Sequence, residues 1–213
     1  MAFDNLALTQ PNIQPADIIN NDDPSLLKLH LGCGKNYMST WINVDNADVK
    51  CDLNFSLEMC QYTPFPYADN SIDVFYCAHT LEHIRNILPL MQELHRIAKP
   101  NAYFLAIVPH GSNDAAYEDP THKRHFFNKS FYYFGQSMYA GADYGYRGDW
   151  KVESLYLTIR QEDLTERQES LVMRVMHQRN YVQDFAAIMR AVKPIRTNCV
   201  KMDVADVYFL KVQ

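Results

Sequence analysis

The stretch Lys28-Leu29-His30-Leu31-Gly32-Cys33-Gly34, with Trp41-Ile42-Asn43-Val44-Asp45 shortly after it, decides the fold. Two short apolar runs are separated by a glycine turn, and the second ends on an acid. A strand that brings the backbone to a point, glycines that let a ligand approach it, and a second strand ending in a carboxylate able to accept two ribose hydroxyls are how a parallel sheet holds a nucleoside. Position 37 is Tyr where a dinucleotide fingerprint has its third glycine, and Asp45 comes too soon for that fingerprint. Both features argue against a pyrophosphate seated on a following helix.

The rest of the chain alternates in the same manner. Residues 1–27 carry Pro11, Pro15 and Pro24 among Asn and Asp, and read as an irregular arm with a helical turn near Pro15 to Ile19. Strands are expected at Lys28 to Leu31, Ile42 to Val44, Val49 to Leu53, Ile72 to Cys77, Ala102 to Val108, Trp150 to Ile159 and Val204 to Val212. Thr80 can cap a helix on which Leu81, Ile84, Leu88, Met91, Leu94 and Ile97 share a face, with Pro89 dividing it. Ser130 to Tyr139 reads as an aromatic-rich helix. Leu171, Val175, Val182, Phe185, Met189 and Val192 recur at helical intervals, so 163–191 reads as an amphipathic helix or helix pair. The order fits an α/β sheet of seven strands whose last two are separated by a helical excursion.

Composition narrows the class. The chain has 213 residues, 47% hydrophobic and 21% charged, enough for a real core in one domain. A net charge of -5 disfavours a nonspecific nucleic-acid partner, and the local basic cluster Thr121-His122-Lys123-Arg124-His125 does not supply a continuous basic face. The five cysteines, Cys33, Cys51, Cys60, Cys77 and Cys199, contain no CxxC pair. A disulfide framework or cysteine zinc site is therefore not expected, and a reducing, cytoplasmic setting is. The N-terminus has no signal-peptide pattern and no segment is long enough to span a membrane.

Two polar clusters could carry chemistry. Cys77-Ala78-His79-Thr80-Leu81-Glu82-His83 leaves a core strand at the sheet edge where α/β enzymes place ligands, which makes His79 the best-placed side chain to face a substrate. His79 and His83 are four apart, as metal ligands on one helical face can be, but no third ligand is fixed by spacing and no metal is assigned. The loop from His110 to Asn128 gathers His110, Asp114, Asp119, His122, Lys123, Arg124 and His125. It reads either as a solvated loop or as a lid or acceptor pocket holding a base near neutral pKa. His110, His122 and His125 could also hold a metal, if the fold brings them together.

The assembled pattern resembles a class I S-adenosylmethionine-dependent methyltransferase of the domain type 11 group. The resemblance lies in residues 28–34, 41–45 and Cys51-Asp52-Leu53, then Pro64 to Asp73, Leu81-Glu82-His83, Glu93 to Pro100 and Phe104 to Pro109. It implies a Rossmann-like, mostly parallel seven-stranded sheet with helices on both faces, an antiparallel last strand and a helical insertion about 161–193 within one domain of residues 28–213. It implies S-adenosyl-L-methionine as cofactor and S-adenosyl-L-homocysteine as product. Gly32, Cys33 and Gly34 would line the methionyl part, Asp45 the ribose, and Asp52 and Leu53 the adenine. Cys77 and His79 would lie under the sulfonium, and His30 stands where many members carry an acid that reaches the cofactor's amino group through water. The implied reaction is in-line transfer of the methyl to an oxygen or nitrogen of a small-molecule or sugar-containing acceptor, with His79, His110 or His122 as base for a hydroxyl. A nicotinamide-dependent oxidoreductase and a cofactor-binding scaffold without turnover are the alternatives. Phe131 to Tyr133 and the 171–192 segment offer an apolar contact for a homodimer.

Overall fold

In the computed structural model, which describes residues 13–136, 144–197 and 205–211, the two runs flanking the glycine turn are parallel neighbours. They are β1 (Lys28–Leu31) and β2 (Ile42–Asp45), paired Leu29 to Ile42 and Leu31 to Val44. The chain continues through β3 (Leu53–Asn54), β4 (Ile72–Ala78), β5 (Ala98–Pro109), β6 (Trp150–Ile159), β7 (Asp184–Ala191) and β8 (Asp206–Lys211). Among the described residues these make one eight-stranded sheet in the order β3-β2-β1-β4-β5-β7-β6-β8. β1 to β5 are mutually parallel, and β7 runs antiparallel to both β5 and β6. The Rossmann-like α/β class read from the sequence is the observed one.

Three expectations about the second half need correction. The sheet has eight strands, not seven, because 184–191 is a strand. Phe185, Ala187, Ile188 and Met189 are fully buried, with Ala186 nearly so, so this strand is apolar on both faces. Such a run contains helix-like intervals of three, four and seven merely because it is apolar throughout. The last strand, β8, is parallel to its neighbour β6, and the antiparallel member is β7, inserted between β5 and β6. The helical excursion accordingly lies between β6 and β7. It consists of a 3₁₀ turn at Gln161–Thr165 and the helix at Gln168–His177, and does not extend to residue 193.

The sheet buries two layers by period-two alternation. Phe75, Cys77, Phe104, Ala106 and Val108 point to one face, while Val74, Leu105 and Ile188 point to the other. The first face is covered by α2 (Ile87–Ile97), whose Ile87, Leu90, Met91, Leu94 and Ile97 form the apolar stripe. Pro89 does not divide this helix. It sits in the first turn, where its missing N–H has no intrahelical partner to lose, and the break falls earlier, after a 3₁₀ turn at Leu81–His83. Trp150 closes this layer, its indole N–H donating to the Met91 carbonyl at 3.0 Å. On the second face α1 (Pro15–Ile19) packs Ile18 against the layer of Trp41, Val74 and Tyr156, and the Tyr156 hydroxyl donates to the Ile13 carbonyl. Residues 13–19 of the expected arm are thereby tied to the sheet.

The expected third strand is reduced to Leu53–Asn54, and Ser130–Phe134 forms a 3₁₀ turn where an aromatic helix is expected, Tyr139 lying outside the described residues. Phe131 and Tyr132 are buried there and Tyr133 is exposed. On the later helix Leu171 and Val175 face the core while Met173 and Met176 are exposed.

Candidate active site

Every parallel strand that matters here ends at one edge. β1 runs into Gly32, β2 ends at Asp45, β4 runs into His79 and β5 into His110. The bend at 32–34 is tied down by its backbone: Gly32 N and Cys33 N both donate to the Val44 carbonyl, at 2.8 and 3.1 Å. Gly34 N donates to Asp45 Oδ2 at 2.8 Å, and Ala47 N donates to Asp45 Oδ1 at 2.9 Å. The carboxylate at the end of β2 is therefore in contact with the glycine bend. Each oxygen accepts one backbone hydrogen bond and keeps a lone pair for another donor, as recognition of a diol requires.

The two glycines serve different purposes. Gly32 has φ +65° and a Cβ there would lie 2.2 Å from Thr80 Oγ1 and 2.8 Å from Thr80 Cβ. Gly34 has φ +51°, and a Cβ there would meet nothing within 4 Å. One glycine lets β4's exit pack onto the bend, and the other faces open space. The Thr80 hydroxyl bridges the two strand ends by donating toward the Ala78 carbonyl, 3.1 Å away, with the Gly32 carbonyl at 3.4 Å. Sequence reading treats Thr80 only as a helix cap and misses this contact.

The remaining predicted cofactor residues take distinct places. Cys33 is buried, its thiol between the carbonyls of Gly34 and Lys50, so it meets the bend through its backbone. His30 is buried, stacks on Tyr76 and shares Nδ1 with Asn43 Oδ1 at 3.2 Å. Desolvation holds its pKa below the ordinary histidine value. Asp52 accepts from Asn43 N and Nδ2 through one oxygen and from the Tyr37 hydroxyl through the other. Its carboxylate thus braces the β2 tip, and Leu53 follows it into β3. Cys77 is fully buried, and its thiol pKa is raised by desolvation. Asn43, a fully buried hub joining Met38, Trp41, Asp52 and His30, is a functional support that sequence reading leaves out. Its signal is a lone amide inside an apolar strand.

His79 leaves β4 with φ +50°, which for a residue with a Cβ is unusual and points its side chain out at the edge. The ring is 53% exposed, with Nδ1 3.7 Å from Glu82 Oε1. That carboxylate raises the His79 pKa against an opposing desolvation effect. His110 is buried with both ring nitrogens engaged, by Ser112 at 2.8 Å and Asn128 at 3.0 Å, and burial lowers its pKa. His122 turns Nδ1 to the Ala116 carbonyl, and His125 stacks on Tyr117. Among the described residues His110, His122 and His125 form no cluster of metal-ligand geometry; His122 instead approaches His83 and Glu82.

The loop after β5 is held by internal bonds and by bonds to the segments around Glu82 and Asn180. Gly111 N pairs with the Phe126 carbonyl, Lys123 N and Arg124 N donate to the Glu82 carbonyl, and Asn180 clasps Asp114. A cleft of about 620 Å³ lies between this loop and the end of the helix at Gln168–His177, lined by Asp114, Tyr117, Glu118, Val175, Met176 and Arg179 among others. It does not include the glycine bend.

Residues 29–106 match the family model of a methyltransferase domain. Among solved structures the fold is similar to an S-adenosylmethionine-dependent methyltransferase from Archaeoglobus fulgidus, with 19% identity over 79% of this chain and 88% of that one and a TM-score of 0.52. It is also similar to a proposed S-adenosylmethionine-dependent methyltransferase from Listeria monocytogenes, with 12% identity over 82% and 94% of the two chains and a TM-score of 0.54. No curated protein sequence matches the chain. The match runs from β1 into β5, and the two solved structures share the α/β fold. Among the described residues no helix is long and apolar enough to cross a membrane.

Proposed function

We propose that this protein transfers a methyl group from S-adenosyl-L-methionine to an oxygen or nitrogen of a small-molecule or sugar-containing acceptor, with the cofactor held between the glycine bend and Asp45. The observation that carries the reading is the 2.8 Å bond from Gly34 N to Asp45 Oδ2, which joins the bend and the acid at one strand edge. When bound, the cofactor supplies a methyl already activated by its positive sulfur. The chain's own residues then have to bind, align and exclude water. Gly34 gives backbone access, Asp45 offers lone pairs to the ribose hydroxyls, and the Asp52–Leu53 tip borders the adenine. Cys77 forms part of the buried floor under the reacting end.

His79 is the base this reading favours for a hydroxyl acceptor. It is exposed at the strand edge, and the Glu82 carboxylate makes its ring more basic. His110 has both nitrogens engaged and is pushed toward the neutral form by burial, a better brace than a base. The described cysteines, Cys33, Cys51, Cys60 and Cys77, are all free, in keeping with a reducing, cytoplasmic setting.

Calorimetric titration with S-adenosylhomocysteine, and separately with NAD⁺, tests the reading. Saturable binding of the former alone is expected, and Asp45→Asn should weaken it by about 10- to 100-fold, the worth of a hydrogen bond to a charged group. Binding of NAD⁺ in preference, or an Asp45→Asn variant with unchanged affinity, would overturn it.

A further inference from the structure

Glu82 is a buried carboxylate whose described ionic neighbour is His79, with Nδ1 3.7 Å from Oε1. Its side chain is 2% exposed, and neither carboxylate oxygen makes a hydrogen bond. An ionised group buried in this way is strongly disfavoured unless a cation compensates it. Two further imidazoles, besides that of His79, stand beside it. Glu82, His83 and His122 each offer one ligand atom, and these atoms lie within 4.8 Å of one another.

The surrounding hydrogen bonds set both rings to the same tautomer. The Thr121 hydroxyl donates to Asp119 Oδ1 at 2.6 Å, so it accepts from His83 Nδ1 at 2.9 Å. His122 Nδ1 lies 3.0 Å from the Ala116 carbonyl, which can only accept. Each histidine therefore carries its proton on Nδ1 and leaves Nε2 bare, the arrangement that outer carboxylates and carbonyls impose on metal-ligating histidines. The two loops that contribute the ligands are clamped together, Lys123 N and Arg124 N donating to the Glu82 carbonyl at 2.7 and 3.3 Å.

We propose that Glu82, His83 and His122 bind one divalent transition-metal ion of the zinc type. Two imidazoles and one carboxylate suit such an ion better than calcium or magnesium, and three protein ligands leave a coordination position open. Glu82 is two residues beyond Thr80, whose side chain packs on Gly32, so the ion lies at the strand edge that carries the glycine bend. There it can take an oxygen of the acceptor as its remaining ligand and make a hydroxyl more acidic. That role rests on the methyl-transfer reading; the binding of the ion does not.

The test uses the full chain, free of any affinity tag and stripped with a chelator, titrated with Co²⁺ and then with Zn²⁺ in competition. One equivalent of cobalt per chain is expected, with the visible absorption of a low-coordinate site, displaced by zinc. His83→Ala and His122→Ala should each weaken binding at least about tenfold, whereas His125→Ala, on the same loop, should leave it unchanged. Glu82→Gln should behave like the histidine variants if it folds. Absence of a stoichiometric cobalt site, or affinity unchanged in both His83→Ala and His122→Ala, overturns the proposal. S-adenosylhomocysteine titrated into the same samples separates the two readings: loss of that binding with cobalt still bound refutes the cofactor pocket and leaves the ion site standing.

Discussion

Replacing Gly32 by alanine puts a methyl group where Thr80 already stands. The added Cβ would lie 2.2 Å from Oγ1, 2.5 Å from Cγ2 and 2.8 Å from Cβ of Thr80. Rotation about χ1 moves the first two atoms but not the third, so the backbone of the bend or of the β4 exit has to shift. An overpacked site of this kind costs about 1–3 kcal/mol. The left-handed φ of +65° adds strain of about 1–2 kcal/mol for any residue with a Cβ. Gly32→Ala should therefore destabilise the fold by about 3 kcal/mol, and Gly34→Ala, with φ +51° and open space around it, by only about 1 kcal/mol. Urea unfolding of both variants, with Thr80→Gly and the Gly32→Ala/Thr80→Gly double variant, isolates the contact as a coupling energy. The double variant should recover the steric part and retain the strain. Gly32→Ala costing no more than Gly34→Ala, or a coupling energy of zero, would refute the claim that close packing of β4's exit fixes the bend.

Other consequences follow from buried polar groups. His30, His95 and His110 are all buried with pKa values lowered by desolvation. Below about pH 6.5 the unfolded chain takes protons that these three refuse, so stability falls with falling pH, by up to about 1.4 kcal/mol per unit for each histidine. His79 has the opposite sign. Its pKa is raised, so in metal-free protein it adds stability as pH falls through its folded value, complete below the ordinary one. Urea midpoints from pH 8 to pH 5 should therefore fall mainly at the acid end, and a midpoint independent of pH would contradict this. Asp149 is fully buried and accepts from Gln136 N, Arg196 N and the Arg196 guanidinium. Desolvation pushes its carboxyl up, but Arg196 and the backbone donors outweigh it and hold the pKa below the ordinary value. Its contribution is thus present above the usual carboxylate range and lost only as pH falls through the depressed value, and Asp149→Ala should cost about 3–5 kcal/mol by calorimetry. Glu93 accepts from Phe65 N at 2.7 Å and from two nitrogens of Arg96, at 2.8 and 2.7 Å. Glu93→Ala should cost about 3 kcal/mol and free the 65–67 segment for proteolysis; an unchanged cleavage rate would place the anchor elsewhere.

The first half of the sheet was legible because its signals are local. Gly32 and Gly34 announce a bend, Asp45 closes an apolar run of the right length, and Ile72 to Cys77 and Ala102 to Val108 are too apolar to be anything but buried. Strand β7 was not legible, since a strand buried on both faces has no polar alternation to separate it from a helix. The direction of β8 depends on which side of β6 the chain returns to, and no residue in Val204 to Val212 encodes that. Site chemistry divides along the same line. Sequence determines that an acid follows a glycine bend and that histidines crowd the segments after β4 and β5. Only the tertiary structure decides that Thr80 presses on Gly32, that Asn43 consumes Asp52, and that His122 meets His83 and Glu82, thirty-nine and forty positions earlier in the chain. The physical reason is that spacing along the chain governs contacts within one turn or strand, whereas contacts between loops are set by where the sheet brings the strands to an end.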